Sequence, residues 1–115
     1  SLVGLARQVE ELAERARQGK STPDELGGST FTITSLGKLG GLLATPVINY
    51  PEVAIMGIHA IRPTPVVRDG QIVVREIMHL SLSFDHRIID GHEGAAFAQK
   101  VKGYLEDPTS LFLES

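Results

Sequence analysis

Residues 83–92 read SFDHRIIDGH. They close a longer run, EIMHLSLSFD (76–85), in which Met78, Leu80, Leu82 and Phe84 share one parity and His79, Ser81, Ser83 and Asp85 the other. Alternation of this length predicts a strand with one apolar face. Carried one step further, the strand places His86 at the last position of that apolar face. Asp90 follows four residues on, and Gly91 permits a sharp departure into a helix.

The flanking segments fit a sheet. A helix is predicted from Glu93 to Asp107, with Phe97, Val101, Tyr104 and Leu105 as its stripe and Pro108 as its stop. The tail LFLES is short and apolar and should dock on the body. Upstream, TPVVRDGQIVV (64–74) reads as a hairpin, because Asp69-Gly70 supplies the positive-φ residues of a tight turn. VAIMGIHA (53–60) reads as a buried strand. STFTITS (29–35) reads as a half-buried strand, with Phe31 and Ile33 on one face and Thr30, Thr32 and Thr34 on the other. Between these, residues 35–51 are broken by Gly37, Gly40, Gly41, Pro46 and Pro51, which predicts an irregular connection.

The chain opens with SLVGLARQVEELAERARQ, an amphipathic helix whose stripe is Leu2, Leu5, Val9, Leu12 and Ala16 and whose stop is Gly19. It starts almost at once, with neither a Met nor a recognised cap ahead of it, so a C-terminal part of something longer is expected. The order of elements is helix, strand, strand, hairpin, strand, helix. That order predicts an α/β fold, a sheet covered by helices on one face.

Composition narrows the function. The 115 residues make about one small domain, and 42% of them are hydrophobic. A net charge of -3 gives no footprint for nucleic acid and no polybasic membrane anchor. No apolar run approaches a membrane span, which predicts a soluble protein. The absence of cysteine removes disulfides, thiolate metal sites and cysteine nucleophiles together.

Chemistry must therefore come from the remaining polar side chains. His86 is the first candidate, since an imidazole titrates near neutrality and a partly desolvated one is held as a neutral base. The alternative is a structural histidine bonded to a carbonyl. Asp90 could orient the imidazole or pair with an arginine. His79, His86, Asp90 and His92 could be metal ligands, but opposite strand parities separate His79 from His86, and no HExxH occurs. Ser81 and Ser83 lack the G-x-S-x-G context of a hydrolase nucleophile and read as small packed polar positions. GKLGG (37–41) matches no phosphate-binding pattern. Thr34, at the end of its strand, is placed either as a plain strand-end residue or as a hydroxyl donor to a developing oxyanion.

Several segments together resemble one family. SFDHRIIDG is similar to the H-x-x-x-D-G signature of the acyltransferase (E2) component of 2-oxo acid dehydrogenase complexes, a motif shared with chloramphenicol acetyltransferase. GGSTFTITSLGKLGG, TPVINYPEVAIMGIHAI, PVVRDGQIVV, LEDPTSLFLE and the opening helix with RQGKSTPDELGG resemble further segments of that family, in order and over nearly all 115 residues.

The resemblance implies a chloramphenicol-acetyltransferase-like two-layer α/β sandwich with a mixed sheet. Residues 1–115 would form the C-terminal half of a catalytic domain roughly twice as long. It implies transfer of an acyl group between the thiols of a dihydrolipoyl arm, carried on a separate domain, and coenzyme A, with no metal. Acetyl is the favoured acyl group; succinyl and branched-chain groups are the alternatives. His86 would take the proton from the attacking thiol, Thr34 would stabilise the oxyanion, and Asp90 would hold the geometry of the site. The family is trimeric, with His86 from one subunit meeting Thr34 of the next. Trimers build a larger core that takes up the E1 and E3 components through other domains. The compartment would be the bacterial cytoplasm or the mitochondrial matrix. His92 departs from the small residues common after Gly91 and reads as surface. The competing class is a non-catalytic, trimer-forming core fragment.

Overall fold

The computed structural model describes residues 1–114. Helix α1 spans Leu2–Arg17, and the short α2 spans Pro23–Leu26. Strand β1 is Thr32–Ser35, followed by a 3-10 turn at Gly37–Leu39. Strands β2 (Ala54–Ile58), β3 (Arg62–Arg68), β4 (Gln71–Ile77) and β5 (Leu80–Phe84) come next. Helices α3 (Gly91–Glu106) and α4 (Pro108–Glu114) end the chain.

Three strands form a mixed sheet in the order β1-β2-β5. β1 runs parallel to β2, and β5 runs antiparallel to it. The predicted hairpin is present and longer than expected: β3 and β4 pair from Arg62↔Ile77 to Arg68↔Gln71 as a separate two-stranded ribbon. At its tip Asp69 has φ 51° and Gly70 φ 74°, the two positive angles of a type I′ turn. The expected strand over 76–85 is thus divided, with Glu76 and Ile77 ending β4 and Leu80–Phe84 forming β5.

The sheet has two unlike faces. The row Thr34–Gly57–Ser81 and the row Thr32–Ile55–Ser83 lie on one face. Ala54 with Phe84, and Met56 with Leu82, lie on the other, and α3 packs there. The helix comes close because residue 94 is glycine: a Cβ at that position would stand 2.4 Å from Phe84 Cε1. Phe31 meets Phe97 of α3 at 5.7 Å between ring centroids. α4 folds back on α3, where Tyr104 donates to the Glu114 carboxylate, but the expected docking of its apolar side chains is not seen, since Leu111, Phe112 and Leu113 stay exposed.

Two helix starts differ from expectation. Ser1 is an N-cap after all, its Oγ accepting from the Gly4 N–H at 3.1 Å. α3 begins two residues before Glu93, because Asp90 Oδ1 accepts from the Glu93 N–H at 2.8 Å and the Glu93 carboxylate accepts from the Asp90 N–H. This is a capping box, which satisfies donors that the first helical turn leaves unpaired. The φ of Gly91 is not positive, so its special freedom is not what turns the chain.

Little of the chain is closed off. Its radius of gyration is 16.7 Å, against about 13 Å for a compact domain of this length. The buried apolar core is Ala54, Ile55 and Met56 on the central strand. The stripe of α1 forms as predicted, but Leu2, Leu5, Val9 and Leu12 remain exposed. The threonines of β1 are more covered than Ile33, which is 66% exposed, because the threonine face carries hydrogen bonds and a cleft.

Candidate active site

β5 ends at Phe84, two residues short of His86, where the predicted apolar face would have ended. Asp85 ends it. Its carbonyl accepts from the N–H groups of Ile88 and Ile89, at 3.0 and 2.9 Å, and curls the chain into a turn. Its carboxylate accepts from the Arg87 backbone N–H at 3.0 Å, from Nε at 2.9 Å and from Nη2 at 2.7 Å. An aspartate that bonds its own following backbone competes with the ladder in this way. His86 therefore sits on the turn, exposed, with its ring 5.6 Å from that of Phe84. The expected partial desolvation of His86 is not found within this chain.

Asp85 and Arg87 brace that turn from either side of His86. The pair is exposed on the arginine side, at 88%, so its value is geometric, and surface pairs of this kind add little stability. The Arg87 side chain and then its backbone N–H hold the Asp85 carboxyl down at about 2, from an ordinary 3.8. Because the native value is the lower one, the brace contributes fully above pH ~4 and is lost as pH falls towards 2. Carboxyl-carbon NMR of the folded protein is expected to titrate Asp85 near 2, and Arg87→Ala to move it up towards 3.8. A midpoint already at 3.8 with Arg87 present would contradict the brace.

Asp90 faces the start of α3. Its carboxylate caps α3, and no hydrogen bond joins it to His86 among the described residues. Its influence runs through the start of the helix, which fixes the far end of the His86 turn.

Thr34 stands elsewhere. It lines a small cleft of about 150 Å³ with Ala44, Pro46, Gly57 and His59. His59 was not weighed as a candidate from the sequence. Its Nε2 and Ser81 Oγ are 2.8 Å apart, and its ring lies over Gly57, where a Cβ would be 3.1 Å from it. The ring thus sits between Thr34 and Ser81, which flank Gly57 on one row of the sheet. The signal was strand parity, since residue 59 shares the face of residue 57. Ser81 is a packed polar position, as expected.

Thr34 and His86 are not brought together within one chain. Ser81, on the Thr34 row, and Asp85, at the strand end, are four residues apart, roughly 13 Å along a strand. A larger apolar groove of about 420 Å³ lies on the opposite face, between β5 and α3, lined by Phe31, Leu82, Phe84, Ile88 and Phe97. It carries only Glu93 as a charged group. Among the described residues no three His, Asp or Glu side chains cluster as metal ligands. His79 and His92 are exposed.

Glu52 was also missed. It is 7% exposed, yet charged. Ser29 Oγ donates to its Oε1, and Thr32 Oγ1 donates to its Oε2 at 2.6 Å. These hydroxyls, Ser29 first, with help from Asn49, hold its carboxyl below the usual carboxylate range, against burial, which pushes it up.

The chain thus combines a mixed sheet with one helix packed close on its apolar face, a polar opposite face and a histidine on the turn after the last strand. The chain belongs to the 2-oxoacid dehydrogenases acyltransferase (catalytic domain) family, whose model matches residues 1–113. It is 58% identical over 113 residues to the lipoamide acyltransferase component of the branched-chain alpha-keto acid dehydrogenase complex of Pseudomonas aeruginosa, covering 98% of this chain and 26% of that protein. It is 48% identical to the dihydrolipoyllysine-residue succinyltransferase component of the 2-oxoglutarate dehydrogenase complex of Haemophilus influenzae, covering 99% and 28%. Among solved structures it is similar to the dihydrolipoamide acetyltransferase of Azotobacter vinelandii, at 43% identity and a TM-score of 0.91, covering 97% of this chain and 46% of that one. The crystallographic and enzymatic work on that enzyme addressed the catalytic role of a serine, a histidine and an asparagine. The chain thus spans about a quarter of these curated relatives and just under half of the solved chain. No helix among the described residues is long and apolar enough to cross a membrane.

Proposed function

We propose that this chain is the C-terminal half of the catalytic domain of a dihydrolipoamide acyltransferase in a 2-oxo acid dehydrogenase complex. The observation that carries the reading is a spacing. In the Azotobacter enzyme the histidine lies 52 positions after the serine and four before the asparagine. His86 lies 52 positions after Thr34 and four before Asp90. Thr replaces Ser with the hydroxyl kept, and Asp replaces Asn with the capping ability kept, since both residues are strong N-caps. That exchange fits an Asp90 that acts through the helix start and moves no proton.

In this reading His86 takes the proton from the attacking thiol. The thiolate sulfur adds to the thioester carbon, and the Thr34 hydroxyl donates to the oxygen that gains charge. Collapse breaks the other carbon–sulfur bond, and the imidazolium returns its proton to the leaving thiolate. Coenzyme A and a dihydrolipoyl group are the two thiol substrates. The separation of Thr34 from His86 in one chain supports a site shared between subunits of a homotrimer, with Thr34 meeting the neighbour's His86. The rest of the domain and the neighbouring subunit would cover the exposed stripe of α1. Trimers would assemble into the core of the complex, joined there by its E1 and E3 components, in the bacterial cytoplasm or the mitochondrial matrix.

The test is acyl transfer to dihydrolipoamide by the full-length protein, from isobutyryl-, succinyl- and acetyl-coenzyme A in parallel. Transfer from at least one is expected, with the branched-chain arm first by order of identity and acetyl the group favoured by the sequence motifs. No transfer from any of the three would overturn the enzymatic reading in favour of a structural core segment.

A further inference from the structure

We propose that Glu52 is a positioning residue, acting through strand β1 to set where the Thr34 hydroxyl stands. The inference rests on the reading of Thr34 as the oxyanion donor.

Apart from Glu52, β1 has few restraints. It is four residues long, lies at the edge of the sheet in this chain, and pairs with β2 in the parallel manner, the less stable ladder per residue. Its outer side chain Ile33 is largely exposed, so apolar packing restrains it only ahead of the strand, where Phe31 meets Phe97. Its polar face is held at Thr32, where the hydroxyl donates to Glu52 at 2.6 Å. The same carboxylate takes the Ser29 hydroxyl from the approach to β1, and its own backbone N–H donates to the Asn49 carbonyl at 2.9 Å. One side chain therefore ties the entry of β1, its first residue and the 49–52 turn into a single unit. Thr34 is the next residue on the face of Thr32, one step from the tie.

The choice of residue is informative. Among the described residues no lysine or arginine reaches Glu52 as an ion-pair partner, so a carboxylate is kept almost fully buried on neutral donors alone. Burial of a charge is costly unless its hydrogen bonds are complete. A carboxylate is acceptor-only, and so it dictates that the Ser29 and Thr32 hydroxyls both donate to it. A glutamine leaves one of them without that instruction. Oxyanion donors work within about 2.7–3.1 Å, so a small shift of β1 is enough to blunt Thr34.

The experiment is a double-mutant cycle in the full-length protein: parent, Glu52→Gln, Thr34→Ala and the double variant, each with kcat and KM for both thiol substrates. Glu52→Gln is expected to lower kcat about tenfold, less than the loss of a whole oxyanion donor, with both KM values nearly unchanged. In the Thr34→Ala background the same change should cost less than about twofold, because the group it positions is gone. An equal factor in both backgrounds, or no loss in either, overturns the inference and leaves the acyltransferase reading in place. If Thr34→Ala alone costs nothing, the oxyanion role falls and this inference with it. Should Glu52→Gln fail to assemble, Thr32→Val removes one donor, keeps the β-branched shape and carries the same cycle with the same criteria.

Discussion

Alanine at His86 in the full-length protein is expected to slow acyl transfer by about 10²–10⁴, the usual loss for a positioned general base. A thiol is only a few per cent ionised at neutral pH, so removing the base withdraws most of the nucleophile at the moment of attack. The loss should fall on kcat and on kcat/KM alike, since a proton acceptor acts in the transition state. Stability should hardly move. His86 is exposed on its turn, the turn is closed by Asp85 and Arg87, and exposed substitutions away from such features usually stay within about 0.5 kcal/mol. A His86→Ala protein with the parent's melting temperature and assembly state, and with activity within twofold of the parent, would remove His86 from the mechanism.

The second large effect is structural and is read from two glycines on one helix. Gly94 is buried against β5, and its missing Cβ leaves room for the Phe84 ring. Gly103, nine residues further along α3, has no heavy atom within 4 Å of where a Cβ would stand. Alanine at either position gains helix propensity, about 1 kcal/mol relative to glycine. At Gly94 it must also move Phe84 or the helix, an overpacking cost of about 1–3 kcal/mol. Gly103→Ala is therefore expected to stabilise and Gly94→Ala to lose that gain or more, a difference of about 1–3 kcal/mol in chemical denaturation. Valine at Gly94 should be worse, because a branched Cβ cannot turn aside. Equal effects of alanine at the two positions would show that α3 does not depend on the close contact. Since α3 begins at the Asp90 cap, pushing it off β5 also shifts the far end of the His86 turn.

What could be read ahead of the structure followed local pattern. The parity of Leu80, Leu82 and Phe84, the Asp69-Gly70 turn and the stripe of α1 are all properties of neighbouring residues, and all appear in the structure. The end of β5 was misplaced because apolar alternation cannot register an aspartate that captures its own backbone. The start of α3 was legible in Asp90-Gly-His-Glu93 as a capping box, but the glycine drew the reading instead. Glu52 had no local signal, since its partners Ser29 and Thr32 lie 23 and 20 residues away. The stripe of α1 was visible, whereas its exposure was not, because a periodicity names a face without naming what covers it.

The ribbon of β3 and β4 leaves the sheet after Ile58 and returns at Leu80, residues that are themselves paired across β2 and β5. The register that lines up Thr34, Gly57 and Ser81 is set below this point and is indifferent to the ribbon's length. The Asp69-Gly70 tip is thus a natural port for the protein engineer. A peptide tag or a fluorophore grafted there lengthens a loop at small entropic cost and leaves the sheet's alignment untouched.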